Sequence, residues 1–426
     1  MIVMLEAVFA LLSSLMLVYL VRHYVFTFTV LRRARTNQPA PAQARVEYEP
    51  SVSILIPARD EEKVIGRLLI RMTELTYPRD KLQVVVVDDA SSDGTARLVD
   101  EFSERFGFIQ VLRRCKVEGG KGKTSAMNAG FRLCRGEITL CFDADYYPQR
   151  NIVEKLVAPF ADLDVGAVQG RVVVLNEPQN MVTRLVALER IGGYRVDQEA
   201  RDGLGLISQF GGTVGGFRRE LLARLGGWDE SILAEDTDLT FRVSLAGYRI
   251  RYVGDAECYE EAVDSWRAYW TQRYRWARGH MQCCFRHSLS VLRSRKLRVR
   301  EKVDGLLLLN VYFMPLIVLL SLVVGVPLIL LSPSAFAGLL WFSVPISFYS
   351  FVGNFAPFFE VGVGAHLDGR RRTQWLIPLL IFTFFYNIPI CSKAFLDLVA
   401  ARVRGKNHNH WAKTAHLGNG SCYIRS

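Results

Sequence analysis

The chain has 426 residues, half of them hydrophobic and 22% charged, with a mean hydropathy of +0.14. That length suits two to three units of roughly 150 residues, and the composition excludes a disordered, collagen-like or coiled-coil protein. The net charge is +11, but many arginines (Arg32, Arg33, Arg35, Arg370 to Arg372, Arg402, Arg404) flank apolar stretches as membrane flanks do, and no nucleic-acid signature accompanies them.

Met1 to Val21 is almost continuously apolar, with Glu6 its one charge, and about 20 such residues span a bilayer. It lacks the basic start and small-residue cleavage site of a signal peptide. The basic residues that follow predict a cytoplasmic C-terminal end for this helix, assigned to residues 1–31. Residues 32–50, with Pro39, Pro41 and Pro50, read as a linker. From Ser51 short β-branched runs alternate with helical patterns: SVSILIP, EEKVIGRLLIRMTEL, LQVVVVDDAS, DGTARLVDEFSERF and EITLCFDAD. Such alternation predicts an α/β domain with a parallel sheet over 51–260, and its ligands bind beyond the carboxyl ends of the strands. Residues 261–304 read as amphipathic interface helices. Within 305–400, Gly305 to Leu331, Ala335 to Ala365 and Trp375 to Ala400 are each long enough to span, though interrupted by prolines. Three spans would leave the tail 401–426 outside, whereas its basic residues favour the inside, so one stretch is expected to be interfacial or re-entrant. The eight cysteines form no CxxC pair or disulfide framework, which fits a reduced, cytoplasmic main domain.

Four groups carry chemistry. Asp143 and Asp145 are two apart in a segment expected to be extended, where they face one way. They suit a hard divalent cation shared with phosphate oxygens, or a solvated strand end. Asp88 and Asp89 end another strand; Asp89 can meet a ribose or base, and Asp93 suits the following helix cap. Gly119 to Lys123 is a basic glycine-rich loop before a helix and lacks P-loop spacing. Glu235 and Asp236 open a helical pattern, where acids also have a purely structural preference. Gln272, Arg275 and Trp276 share a helix face, which serves either as an interfacial anchor or to hold a sugar. The histidines show no metal spacing, and His408 and His410 fall in the tail.

The order of Asp89, DAD, ED and QxxRW between membrane segments resembles the processive, membrane-integrated family-2 glycosyltransferases, which include cellulose, chitin, hyaluronan and poly-N-acetylglucosamine synthases. The resemblance implies a GT-A (Rossmann-like) cytoplasmic domain with flanking transmembrane helices, a UDP-sugar donor, Mg²⁺ or Mn²⁺, and an inverting mechanism. It places Ala58 and Glu61 (in IPARDEE, where Asp60 replaces the usual Asn), Asp89, Lys123 and Asp143 on the donor. Asp143 and Asp145 become the metal pair, and Asp236 the base beside Glu235, with Ala234 replacing the family Thr. Gly212, Thr213, Gln272, Arg275 and Trp276 fall on the acceptor side. Trp411 to Thr414 resembles the gating segment of some members. The reading that follows is β-linked polysaccharide synthesis coupled to export in the plasma membrane, with an accessory export subunit as a further partner and no nucleic acid. The alternative is a non-processive enzyme adding one sugar to a lipid acceptor; a non-catalytic partner that kept the fold is a third. Asn310, Asn354, Glu360 and Asn387 are expected to line a polymer path or to serve helix packing.

Overall fold

A computed structural model describes residues 2–36, 48–331, 355–370, 373–405 and 418. Helix α1 (Ile2–Arg35) leads to β1 (Val52–Ala58), α2 (Ile65–Thr73), β2 (Leu82–Asp88), α3 (Thr95–Arg105), β3 (Ile109–Arg113), α4 (Lys123–Phe131) and β4 (Ile138–Cys141). The next elements are β5 (Tyr147–Pro148), α5 (Ile152–Val157), β6 (Val165–Val174), α6 (Met181–Ile191), a π-helical stretch at Gly192–Gln198 and α7 (Glu199–Leu204). Then come β7 (Gly215–Arg218), α8 (Arg219–Arg224), α9 (Glu235–Leu245), β8 (Arg249–Glu260), α10 (Trp266–Arg293) and α11 (Val299–Leu309). A 3-10 turn (Val311–Phe313), α12 (Met314–Leu331), α13 (Ala356–Leu367), a 3-10 stretch (Thr373–Leu379) and α14 (Leu380–Val403) complete the described chain.

One sheet runs β3-β2-β1-β4-β7-β6-β8-β5. Alternation along its strands builds two cores: Ile54, Ile56, Val84 and Val86 pack on one face, and Leu55, Val85 and Val87 on the other. Strands buried on both faces need continuous apolar runs, and for that reason β1 and β2 are recognisable in the sequence. The expected parallel sheet holds for β3, β2, β1 and β4 only. Strand β7 is antiparallel to both β4 and β6, so the sheet is mixed. Strand β1 separates β2 from β4, so the two acid-bearing strand ends are not neighbours. The DAD segment is not extended: β4 ends at Cys141, and Tyr146 N–H donates to Asp143 O at 3.2 Å to close a turn.

Three described helical segments are long and apolar enough to cross a membrane: Ile2–Arg35, Val311–Leu328 and Thr373–Val403. Helix α1 has 34 residues, about 50 Å at 1.5 Å per residue, against a hydrocarbon core of roughly 30 Å. Its surplus length docks on the α/β domain, where Phe26 and Val30 pack on Val196 and Ala200. A buried ion cluster fixes the angle of docking. Arg22 Nε lies 3.2 Å from Asp304 Oδ1 and its Nη2 3.1 Å from Asp197 Oδ1, while Arg201 pairs with the other oxygen of Asp304.

The expected span from Gly305 is broken: α11 ends at Leu309, and the apolar segment starts at Val311. Of the expected span at 335–365, residues 335–354 lie outside the described residues, as do most of the linker, most of the tail and Trp411 to Thr414. Asn354, His408 and His410 lie outside them too. Polar groups expected on a polymer path are engaged in packing. Glu360 pairs with His23, Asn310 Oδ1 accepts from the Cys284 thiol at 3.3 Å, and Asn387 donates to Tyr269 Oη at 3.0 Å. Of these, Asn387 alone also borders the large cleft described next.

Candidate active site

The carboxyl ends of β1, β2 and β4 open onto a cleft of about 1090 Å³. Ala58, Glu61, Asp89, Lys123, Asp143 and Asp145 line it on the sheet side. Gly212, Thr213, Glu235, Asp236, Gln272, Arg275 and Trp276 line it from the opposite elements. All the residues singled out in the sequence therefore border one space.

Lys123 is the first residue of α4, where helix N–H groups already favour an anion. Gly122, before it, has φ +111° and ψ 167°, a conformation open essentially only to glycine. The Lys123 ammonium lies 2.6 Å from Asp143 Oδ1 and donates to Gly212 O at 3.1 Å. Burial opposes its charge, but Asp143, Glu235 and Asp236 outweigh burial and raise its pKa. Asp143 N–H donates to Thr213 Oγ1 at 3.1 Å. Gly212 and Thr213 thus touch the donor-side residues directly, closer to them than a purely acceptor-side placement predicts.

Asp89 is buried and already bonded: Arg114 Nη1 lies 2.5 Å from Oδ1, and Gly120 N–H donates to Oδ2 at 3.0 Å. It anchors the 114–120 loop to the strand end as well as facing the cleft. Asp93 serves the start of α3 by accepting from Thr95 N–H at 3.0 Å. Asp60, in the position of the family Asn, has φ +50° and accepts from Ser92 N–H at 2.6 Å. It ties the β1 end to the β2 end.

Glu235 and Asp236 open α9. Burial is the main force raising both carboxyl pKa values; Glu235, also repelled by Asp236, is lifted to about 7. Lys123 and Arg275 pull the other way, and Thr237 N–H donates to Asp236 Oδ1 at 2.6 Å. Gly212 has φ +81°, and a Cβ there would come within 3.4 Å of Asp236 Oδ2.

Gln272, Arg275 and Trp276 lie in one 28-residue helix, α10, rather than in several interface helices. The Trp276 ring is engaged by two guanidinium groups, Arg273 at 4.4 Å and Arg190 at 5.1 Å from its centroid. Arg273 in turn pairs with Glu189, and Arg190 Nε with Glu260 Oε1 at 2.6 Å. The ring is thus braced within the protein, each such contact adding about 0.5–2 kcal/mol.

Sequence reasoning missed Gln169, Arg114, Thr237 and His280. Gln169 is fully buried in β6; it accepts from Gly211 N–H at 2.7 Å and donates to Thr213 O at 3.1 Å, shaping the 211–213 loop. A glutamine inside the apolar run VGAVQGRVVV was its available signal.

The cleft continues past the carboxylates into the membrane helices. Its far wall is apolar: Met16 and Leu20 from α1, Val318 and Leu322 from α12, Ile381 and Phe384 from α14.

Asp143 and Asp145 together offer hard carboxylate oxygens at the mouth of the sheet. Among the described residues no group of three or more His, Cys, Asp or Glu gathers as a metal cluster. A pair of acids completed by diphosphate oxygens is the donor set that Mg²⁺ or Mn²⁺ takes, so the residues present fit such an ion.

The fold and this arrangement define a GT-A glycosyltransferase domain. Residues 50–279 match the family described as Glycosyltransferase like family 2, and the chain belongs to it. It is 41% identical over 232 residues to the probable glycosyltransferase YdaM of Bacillus subtilis, covering 54% of this chain and 55% of that protein. It is 34% identical over 270 residues to the beta-monoglucosyldiacylglycerol synthase of Trichormus variabilis, covering 62% and 56%. The chain therefore spans little more than half the length of these curated relatives. Among solved structures, the mannosyltransferase PcManGT from Pyrobaculum calidifontis, in complex with GDP-Man and Mn²⁺, aligns with a TM-score of 0.55 and 26% identity over 85% of this chain and 97% of that one.

Proposed function

We propose that this protein transfers a single sugar from a nucleotide-sugar donor to the hydroxyl of a membrane lipid, a diacylglycerol-type acceptor, with inversion. The observation that carries the reading is the continuity of the cleft from Asp143 and Asp236 to an apolar wall built by α1, α12 and α14. A lipid fits both ends, its hydroxyl at the carboxylates and its chains against Leu20, Val318 and Phe384. A likeness to beta-monoglucosyldiacylglycerol synthases favours the same acceptor over a polysaccharide. The basic end of α1 beside the α/β domain favours a cytoplasmic active site at the inner membrane face.

In this reading Asp236 takes the proton from the acceptor hydroxyl as its oxygen attacks the anomeric carbon. The bond from that carbon to the diphosphate breaks, and the nucleoside diphosphate leaves. Its raised pKa suits Asp236 to general-base work near neutral pH. Lys123, held charged, meets the developing diphosphate charge together with Arg275. A divalent ion held by Asp143 and Asp145 would neutralise the same charge. Glu61 and Asp89 border the nucleoside end, and Gln272 and Trp276 the side where the two substrates meet.

The test is a donor panel of UDP-, GDP- and other nucleotide sugars, supplied with Mg²⁺ or Mn²⁺ to the protein in nanodiscs containing diacylglycerol. One donor should give a labelled product that partitions into organic solvent. Label found only in water-soluble polymer overturns the reading.

A further inference from the structure

We propose that His280 is a positioning residue for the Asp236 carboxylate and acts through the hydroxyl of Thr237; the inference rests on Asp236 being the base. Thr237 is fully buried in the first turn of α9. Its N–H and its hydroxyl both hydrogen-bond to the Asp236 carboxylate. A hydroxyl has one proton to donate and two lone pairs. Two side chains reach the same oxygen: Gln209 Nε2 donates at 3.0 Å, and His280 Nε2 lies at 3.1 Å.

With the hydroxyl proton given to Asp236, the oxygen accepts from both neighbours. His280 then carries its proton on Nε2 and leaves a bare lone pair on Nδ1, which is buried without a hydrogen-bond partner. The opposite tautomer would bury an unpaired N–H and take the hydroxyl proton away from Asp236. Buried N–H groups without a partner are the rarer case, so the first arrangement is favoured. Burial also keeps the imidazole neutral, with a pKa lowered to about 4, so its role does not change across the working pH range. The ring is held in place against Tyr312, with centroids 4.6 Å apart. Along α10, His280 follows Gln272 and Trp276 at four-residue steps, so one helix face carries both the sugar-side residues and this support.

A hydrogen bond to the charged form lowers a carboxyl pKa, and removing one raises it. The other groups acting on Asp236 or on its surroundings are Glu235, Lys123, Arg275, Tyr194, Tyr312 and Cys283, and the variants below leave all of them in place.

The experiment is the pH profile of kcat for nucleotide release by the full chain in diacylglycerol nanodiscs. It compares wild type with Thr237→Val, His280→Ala, His280→Gln and Asp236→Asn. Thr237→Val should lower kcat roughly 10-fold, leave the donor KM unchanged and move the acid limb to higher pH. His280→Ala should move it the same way by less, and His280→Gln, which keeps an amide N–H, should restore part of it. An acid limb that stays at the wild-type pH in folded Thr237→Val and His280→Ala overturns the proposal. If His280→Ala does not fold, Thr237→Val decides. Wild-type turnover in Asp236→Asn would instead remove the base assignment beneath it, a result separable from an unmoved limb with Asp236→Asn inactive.

Discussion

The ammonium of Lys123 and the carboxylate of Asp143 stand 2.6 Å apart at the first turn of α4 and the turn after β4, where the strand ends open onto the cleft. The pair keeps the lysine charged and holds Asp143 in place before any donor binds. A diphosphate must share that lysine. Lys123→Ala should therefore raise the donor KM about 10-fold or more, the scale of a lost charge-assisted hydrogen bond, with a smaller fall in kcat. Steady-state kinetics over a donor series checks this, and an unchanged KM would place the diphosphate elsewhere.

The second expectation concerns the acids of that turn. Asp143→Asn and Asp145→Asn should each weaken Mn²⁺ dependence, read as a right-shifted metal activation curve. Chelation should abolish transfer by the wild type, and added Mg²⁺ or Mn²⁺ should restore it.

The pH dependence follows from Glu235 and Asp236. Both carboxyl groups are raised, so their charged forms are filled across the neutral range rather than near pH 4. Activity should climb with pH through that range. Glu235→Gln removes the like charge beside Asp236, lowers its pKa and should move the acid limb to lower pH. The sign reverses for stability. Glu235 prefers its proton in the folded state, so its contribution is complete below the ordinary value of 4.5 and is lost as pH rises through about 7. Melting temperatures of wild type and Glu235→Gln should therefore diverge between pH 5 and pH 8, with wild type losing more on the alkaline side.

Docking of α1 rests on Asp304, which serves Arg22 and Arg201 at once. Asp304→Ala leaves two buried guanidinium groups short of a partner and should cost about 3–5 kcal/mol. A large fall in melting temperature, with α1 more open to proteolysis at its inner end, is the expected result.

The first half of the domain was legible in the sequence because its strands are buried on both faces. SVSILIP and LQVVVVDD announce themselves by apolar runs, and the acids follow at the points where those runs stop. Strand β7 is only Gly215–Arg218, and the β3 segment Ile109–Arg113 is short and half-exposed, so neither carries a pattern of its own. Their places are set by long-range pairing. The extended reading of DAD failed for a related reason, since the turn is closed by a backbone bond that no side chain announces. The acceptor side was least legible. The QxxRW pattern marks the site but not its occupant, and the apolar wall exists only where α1, α12 and α14 meet, some 300 residues apart in the chain.

Product size tests the central claim most directly. The full chain in diacylglycerol nanodiscs, given the radiolabelled donor it accepts, should make one glycolipid species carrying a single sugar per lipid. Phe384→Asp, which puts a charge on the apolar wall, should suppress that product while donor binding persists. A ladder or a high-molecular-weight polymer formed without added lipid would contradict the account.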